Sequence, residues 1–160
     1  MPHNPLLYMP CALWARALDE LHFRTEGKSH ESGAFLLGRN APEGRIVEDV
    51  VYYDDLDPNA YSSGVVVLHA ESFSRLWKLC GERRQTVVAD IHVHPRGAGQ
   101  SRADRNNPMI ARKGHLAIIV PDFAEPPVSL QRIGFYQYLG QHQWRSLSGE
   151  QIERYLTLTN

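Results

Sequence analysis

Thr86-Val-Val-Ala-Asp-Ile-His-Val93, followed by His94-Pro95 and the glycine-rich run Arg96-Gly-Ala-Gly-Gln100, is the stretch on which the fold turns. Its Val, Ala and Ile content reads as a strand with apolar neighbours on both faces, hence a central one. The Pro and Gly residues after it end the strand and let the chain turn back. His115 to Val120 reads as a second buried strand. Before the central strand, Ala70 to Arg83 places Phe73, Leu76, Trp77 and Cys80 on one helical face. Earlier still, Glu31-Ser-Gly-Ala-Phe-Leu-Leu-Gly38 reads as a strand, Arg39 to Gly44 as a hairpin turn, and Arg45 to Tyr53 as its partner strand.

The outer segments follow by the same rules. The first nine residues read as an arm. A helix is expected from about Pro10 to Thr25, stopping near Gly27, because Leu13, Trp14, Ala17, Leu18 and Leu21 recur at helical spacing and Pro10 suits a first turn. Asp54 to Gly64 reads as a polar loop and Val65 to Leu68 as a short strand. Ser101 to Arg112 holds a short helix that Pro108 bends or delays. Asp122 to Pro127 is a turn, and Val128 to Leu139 with Gln143 to Ser146 a closing hairpin. Ser148-Gly-Glu-Gln151 has the form of a capping box, which predicts a final helix through Leu156. Turn-linked strands predominate, so the expectation is one α/β (α+β) domain over residues 1–160, with a mixed, largely antiparallel sheet flanked by helices.

Composition narrows the function classes. With 17 Lys plus Arg against 18 Asp plus Glu the formal net charge is -1, which argues against a nucleic-acid protein and against a polybasic membrane-surface protein. The longest apolar runs, such as Val65-Val-Val-Leu68, are too short to span a bilayer. Met1-Pro-His-Asn-Pro5 shows no basic region and no apolar stretch of a secretory signal. Two cysteines far apart, Cys11 and Cys80, make no disulfide framework, so a cytoplasmic location is expected.

The eight histidines are the unusual feature. His92 and His94 alternate along the central strand, so both imidazoles project to one face and can converge on a metal ion. Asp104 lies ten residues beyond His94 and is available as a third, oxygen ligand; three protein ligands with an open position is the pattern of a catalytic zinc. Each piece has an ordinary alternative. A lone His-x-His can be two strand-end histidines, and Ser101-x-x-Asp104 is also a helix capping box. Glu31, at the mouth of an apolar strand, could take a proton from a zinc-activated water, or be an exposed strand-end carboxylate. Asp90 shares the His92 face and reads equally as a partner for a ligand histidine or a plain strand carboxylate. His115 reads as core, His69 as a helix start, and Cys80 as packing; neither cysteine has an activating context, which disfavours a cysteine nucleophile.

Taken together, Glu31, His92-x-His94-Pro95 and Ser101-x-x-Asp104 resemble the motif of the JAMM (MPN-domain) zinc metallopeptidases, and Glu31 to Gly38 resembles that family's first strand. The resemblance runs from the first helix to about Phe135. It implies that His92, His94 and Asp104 bind one zinc ion with water as fourth ligand. It further implies that Glu31 is the general acid/base and that Ser101 helps hold the tetrahedral oxyanion. Two departures stand out: six residues, not the usual seven, separate His94 from Ser101, and Ala34 replaces a common Gly. The Gln-Ser-x-x-Asp-Arg run and Pro108-Met-Ile110 resemble the bacterial branch. That branch implies a deubiquitinase-like isopeptidase acting on a ubiquitin-like protein or its conjugates, with E1-like and E2-like proteins as associates. In related enzymes the region of Asp54–Gly64 often contacts that substrate. Two rivals remain: a non-catalytic interaction scaffold, which would need none of these residues, and a zinc amidohydrolase acting on a small-molecule conjugate.

Overall fold

The computed structural model describes residues 5–160. In chain order the elements are β1 (Leu7–Pro10), α1 (Cys11–Phe23), β2 (Gly33–Ala41), β3 (Gly44–Tyr52), α2 (Tyr53–Leu56), α3 (Ala70–Arg83), β4 (Thr86–Val93), α4 (Arg102–Asn106), β5 (Leu116–Val120), β6 (Gly134–Gly140), β7 (Gln143–Ser146) and β8 (Leu156–Thr159). Short 3-10 turns occupy Asp122–Ala124, Leu130–Arg132 and Ile152–Arg154.

All eight strands join one sheet in the order β7-β6-β5-β4-β2-β3-β1-β8. β4 lies inside it, as its apolar character requires, antiparallel to β2 and parallel to β5. The β2–β3, β5–β6 and β6–β7 pairs are antiparallel, whereas β1 runs parallel to both β3 and β8. The sheet is therefore mixed and largely antiparallel, with helices on both faces.

Alternation along β2 divides the core. Ala34 and Leu36 pack with Ile91, Val93 and the α1 residues Trp14, Ala17 and Leu21 on one face. Phe35 and Leu37 pack with Tyr53, Leu76 and Cys80 on the other. Each fully buried Leu or Phe removes enough apolar surface from water to contribute roughly 1.5–3 kcal/mol. Gly38 marks a β-bulge on β2, where any Cβ would collide with the Ile46 carbonyl of β3.

Register then lays out the second face. Gly33 pairs with His92, His92 with Ile119, and Ile119 with Gly134. In the next row Phe35 pairs with Asp90, Asp90 with Ala117, and Ala117 with Tyr136. Directly opposed residues share a face, so His92, Asp90, Gly134 and Tyr136 all look out on the side where α2 and α3 pack.

Several expectations are corrected. No final helix forms after Ser148. The Ser148 hydroxyl instead accepts from Phe135 N at 2.8 Å, and the chain enters a 3-10 turn and then β8. Part of the expected N-terminal arm is β1, while residues 1–4 lie outside the described residues. Val65 to Leu68 forms no strand; the segment is extended, with Val66 and Leu68 packed inward and Val65 and Val67 exposed. The Asp54–Gly64 region begins with α2 and buries Leu56, Ala60 and Tyr61. The long strand expected from Val128 starts at Gly134, after a 3-10 turn. α1 ends at Phe23, and α4 ends at Asn106, before Pro108. On α3, Trp77 is half exposed, so the buried face is Ser72, Leu76 and Cys80. Among the described residues no helix is long and apolar enough to cross a membrane.

Candidate metal centre

β4 delivers His92 at its penultimate residue, and His94 follows just past the strand end. His94 stays in register because its N–H donates to the Val120 carbonyl at 2.9 Å, and its own carbonyl accepts from Phe123 N at 2.8 Å. The loop then turns, and α4 brings Asp104 back over the two imidazoles. His92 Nε2 lies 3.0 Å from His94 Nε2, 3.4 Å from Asp104 Oδ1, and His94 Nε2 lies 3.1 Å from Asp104 Oδ2. A tetrahedral ion with bonds of ~2.0–2.1 Å separates its ligands by about 3.3 Å. Each imidazole is nearest a different Asp104 oxygen, and one donor atom from each residue lies within 4.8 Å of the others, so the three side chains converge closely enough for a small divalent cation; the group is partly rather than fully buried, which leaves an approach from outside.

The capping-box and ligand readings of Ser101-x-x-Asp104 hold together. Asp104 N donates to Ser101 Oγ at 3.0 Å, and Ser101 N donates to Asp104 Oδ2 at 2.8 Å. The carboxylate thus caps α4 and faces the histidines at once. Burial alone would raise the Asp104 pKa, but the hydrogen bonds from His92, His94 and Ser101 outweigh it and hold the group well below the usual carboxylate range. Burial works against a charge on His92, yet Asp104, Asp90 and Glu31 together leave its pKa raised.

Glu31 sits two residues before β2, which starts later than the strand expected from Glu31 onward. Its backbone is pinned on several sides. Glu31 N donates to Gly64 O at 3.1 Å, His30 Nδ1 lies 2.8 Å from the Glu31 carbonyl oxygen, and the His30 ring stacks on Tyr61 at 5.0 Å. Ser32 Oγ donates to Leu21 O at 2.6 Å, and Val93 N donates to Ser32 O at 2.9 Å, which fastens this segment to the end of β4. The Glu31 carboxyl lies in the field of His92, His94 and Asp104. Burial pushes its pKa up, Asp104 adds to that, and the two imidazoles pull it down. Glu31 thus feels the charges of the His92–His94–Asp104 group without belonging to it.

Ser101 is exposed, and its oxygen accepts the α4 cap bond, so its hydroxyl hydrogen remains free to donate. Asp90 is tied to His115, Oδ2 to Nε2 at 2.6 Å, and both are buried. Neither reading of Asp90 describes what is observed: its partner is His115, which is not among the candidate ligands. His69 precedes α3 as its N-cap residue, and Cys80 is buried in the apolar cluster. Sequence reading did not single out Gly33, Tyr53, Tyr61 or Tyr136. Tyr53 is fully buried with its hydroxyl unpaired, and its ring fills the space over Gly33 that a side chain would occupy. The one signal is a glycine opposite His92, and it shows only once the register is known.

No protein-family model matches the chain. Over 142 residues it is 25% identical to the probable metalloprotease y4jG of Sinorhizobium fredii (strain NBRC 101917 / NGR234), an alignment that covers 88% of each protein. Its fold is similar to that of protein DSY2949 from Desulfitobacterium hafniense, solved in solution, with a TM-score of 0.64 and 15% identity over 96% of this chain and 94% of that one. The first likeness supports a metalloprotease; the second speaks to the fold alone.

Proposed function

We propose that the chain is a zinc-dependent peptidase of the JAMM type that cleaves after the C-terminal tail of a ubiquitin-like protein, in deconjugation or precursor processing. The observation that carries this reading is the His92–His94–Asp104 triangle with Glu31 beside it. The relative named a probable metalloprotease supports peptide hydrolysis, and the motif resemblance supports the substrate class.

His92, His94 and Asp104 would hold the ion, since two imidazole nitrogens and a carboxylate oxygen are a donor set that catalytic zinc accepts. Bound there, zinc would acidify water toward a pKa of ~7 and polarise the scissile carbonyl. The Glu31 carboxylate accepts the proton that the attacking water loses and delivers it to the amine nitrogen as the C–N bond breaks. Its partial burial favours the protonated form it must reach mid-reaction, and the positive charge of a bound ion would favour the ionised form it starts from. Ser101 donates its free hydroxyl hydrogen to the developing oxyanion. Asp104 would give a carboxylate oxygen to the ion while the Ser101 N–H holds that carboxylate in place.

The test is cleavage of a ubiquitin-like fusion ending in Gly-Gly before a short peptide, with and without zinc. Cleavage after the last glycine that stops with a chelator and returns with zinc is expected. Hydrolysis of small amide conjugates with the fusion left intact would transfer the reading to the amidohydrolase. Failure to take up metal, or loss of no metal in His92→Ala plus His94→Ala, would overturn the reading.

A further inference from the structure

α4 has five residues, none of them buried, so beyond the Asp104 contacts with His92 and His94 it has little packing of its own to fix where it sits. Its capping box settles its first turn but not its distance from β4. What holds it lies on the β6–β7 hairpin. Tyr136 Oη donates to the Ala98 carbonyl at 2.7 Å, in the middle of the loop between His94 and Ser101. A Cβ at Gly134 would collide with that same carbonyl, so the loop rests directly on the bare backbone of β6. At the far end of α4, Trp144 Nε1 donates to Arg105 O at 3.0 Å, and the Trp144 ring packs on Tyr138 with centroids 4.9 Å apart. Gly134 shares its cross-sheet row with His92, and Tyr136 shares the neighbouring row with Asp90. The hairpin therefore reaches the Asp104-bearing segment from the face that presents the histidine, and brackets it before and after Asp104.

We propose that Gly134, Tyr136 and Trp144 are positioning residues for the metal centre. By seating the six-residue loop and the short helix, the hairpin sets the separation at which Asp104 meets His92 and His94. The inference rests on the metal-binding reading of those three residues. The margin is narrow: the nearest atoms of the three side chains stand 3.0–3.4 Å apart, each imidazole meeting a different Asp104 oxygen, and a metal site tolerates displacements of only about 0.5 Å. Tyr136→Phe keeps the ring and releases the Ala98 carbonyl. Gly134→Ala places a methyl where the carbonyl lies and forces the loop off its seat. Trp144→Phe keeps an aromatic ring on Tyr138 and frees the end of α4.

Zinc affinity, by competition with a chromophoric chelator, and the visible absorption spectrum of the cobalt(II)-loaded protein are measured for the wild type and the three variants. Tyr155→Phe, which removes a hydroxyl on the far side of the hairpin, serves as control. We expect zinc affinity to fall roughly 10-fold in Tyr136→Phe, the usual effect of losing a support behind a ligand, and further in Gly134→Ala. The cobalt spectrum should change in both, as it would not for a merely structural loss, while thermal unfolding without metal stays near wild type for Tyr136→Phe. Wild-type affinity and an unchanged cobalt spectrum in Tyr136→Phe would overturn the proposal, whether or not Gly134→Ala folds. A change equally large in Tyr155→Phe would overturn it too. A wild-type chain that takes up neither ion would remove the metal reading itself, and this inference with it.

Discussion

Asp90 and His115 offer the most direct measure of what the polar interior beneath the metal centre contributes. Their side chains are each 3% exposed and meet at 2.6 Å, Oδ2 to Nε2, between β4 and the residue just before its neighbour β5. Asp90→Ala leaves the imidazole without that partner in a place water does not reach. Stranding a buried polar group costs about 1–3 kcal/mol, and the volume vacated adds about 1 kcal/mol. A loss of roughly 3 kcal/mol is expected. His115→Ala strands a carboxylate instead, the harder group to leave unpaired, and should cost about 3–5 kcal/mol. The double variant leaves nothing stranded, so its loss should fall short of the sum by roughly 1–3 kcal/mol. Urea unfolding followed by far-ultraviolet circular dichroism on all four proteins gives the cycle. These are large changes against a total stability of about 5–15 kcal/mol. Single losses that add within about 0.5 kcal/mol would refute the coupling, and a stable Asp90→Ala protein would refute the burial argument beneath it.

Other consequences are sharp enough to measure. Glu31→Gln should retain zinc at wild-type stoichiometry while kcat falls by ~10²–10⁴-fold; turnover and zinc content on one preparation decide it. Ser101→Ala removes the α4 cap, so it should cost about 1 kcal/mol in denaturant stability and lower kcat more than it raises KM. Gly33→Ala drives a methyl into the Tyr53 ring and to 2.9 Å from the Ile91 carbonyl. It should lower stability by about 1–3 kcal/mol, seen as a Tm drop of several degrees.

The parts of the molecule that local chemistry dictates were legible in the sequence. The apolar runs of β2 and β4, the amphipathic α1 and α3, and the turn between β2 and β3 follow from periodicity and turn residues. His92 and His94 were placed on one face by strand alternation alone, and the Ser101-x-x-Asp104 spacing announced a helix start that proves also to point at the imidazoles. The errors share a physical cause. Ser148-Gly-Glu-Gln151 carries the capping signature, but its hydroxyl found Phe135 on a neighbouring strand, and Leu156 and Leu158 found β1. Val65 to Leu68 has strand residues and strand alternation, yet no neighbour pairs with it among the described residues. Tyr136, Gly134 and Trp144 carry no local mark, because their importance lies in what the register brings against them.

The parallel pairing of β1 with β8 has a consequence for how the protein is made. Leu7 to Pro10 leave the ribosome long before their outer neighbours, Leu156 to Thr159, which pair with them in parallel. β3 can cover one edge of β1 early, but until β8 arrives the other edge displays unpaired N–H and C=O groups, an invitation to strand addition by a neighbouring nascent chain. Closure of that edge is a contact of very high order, and so a slow one. Translation speed and temperature should accordingly govern the yield of monomeric protein more than any feature of the metal centre.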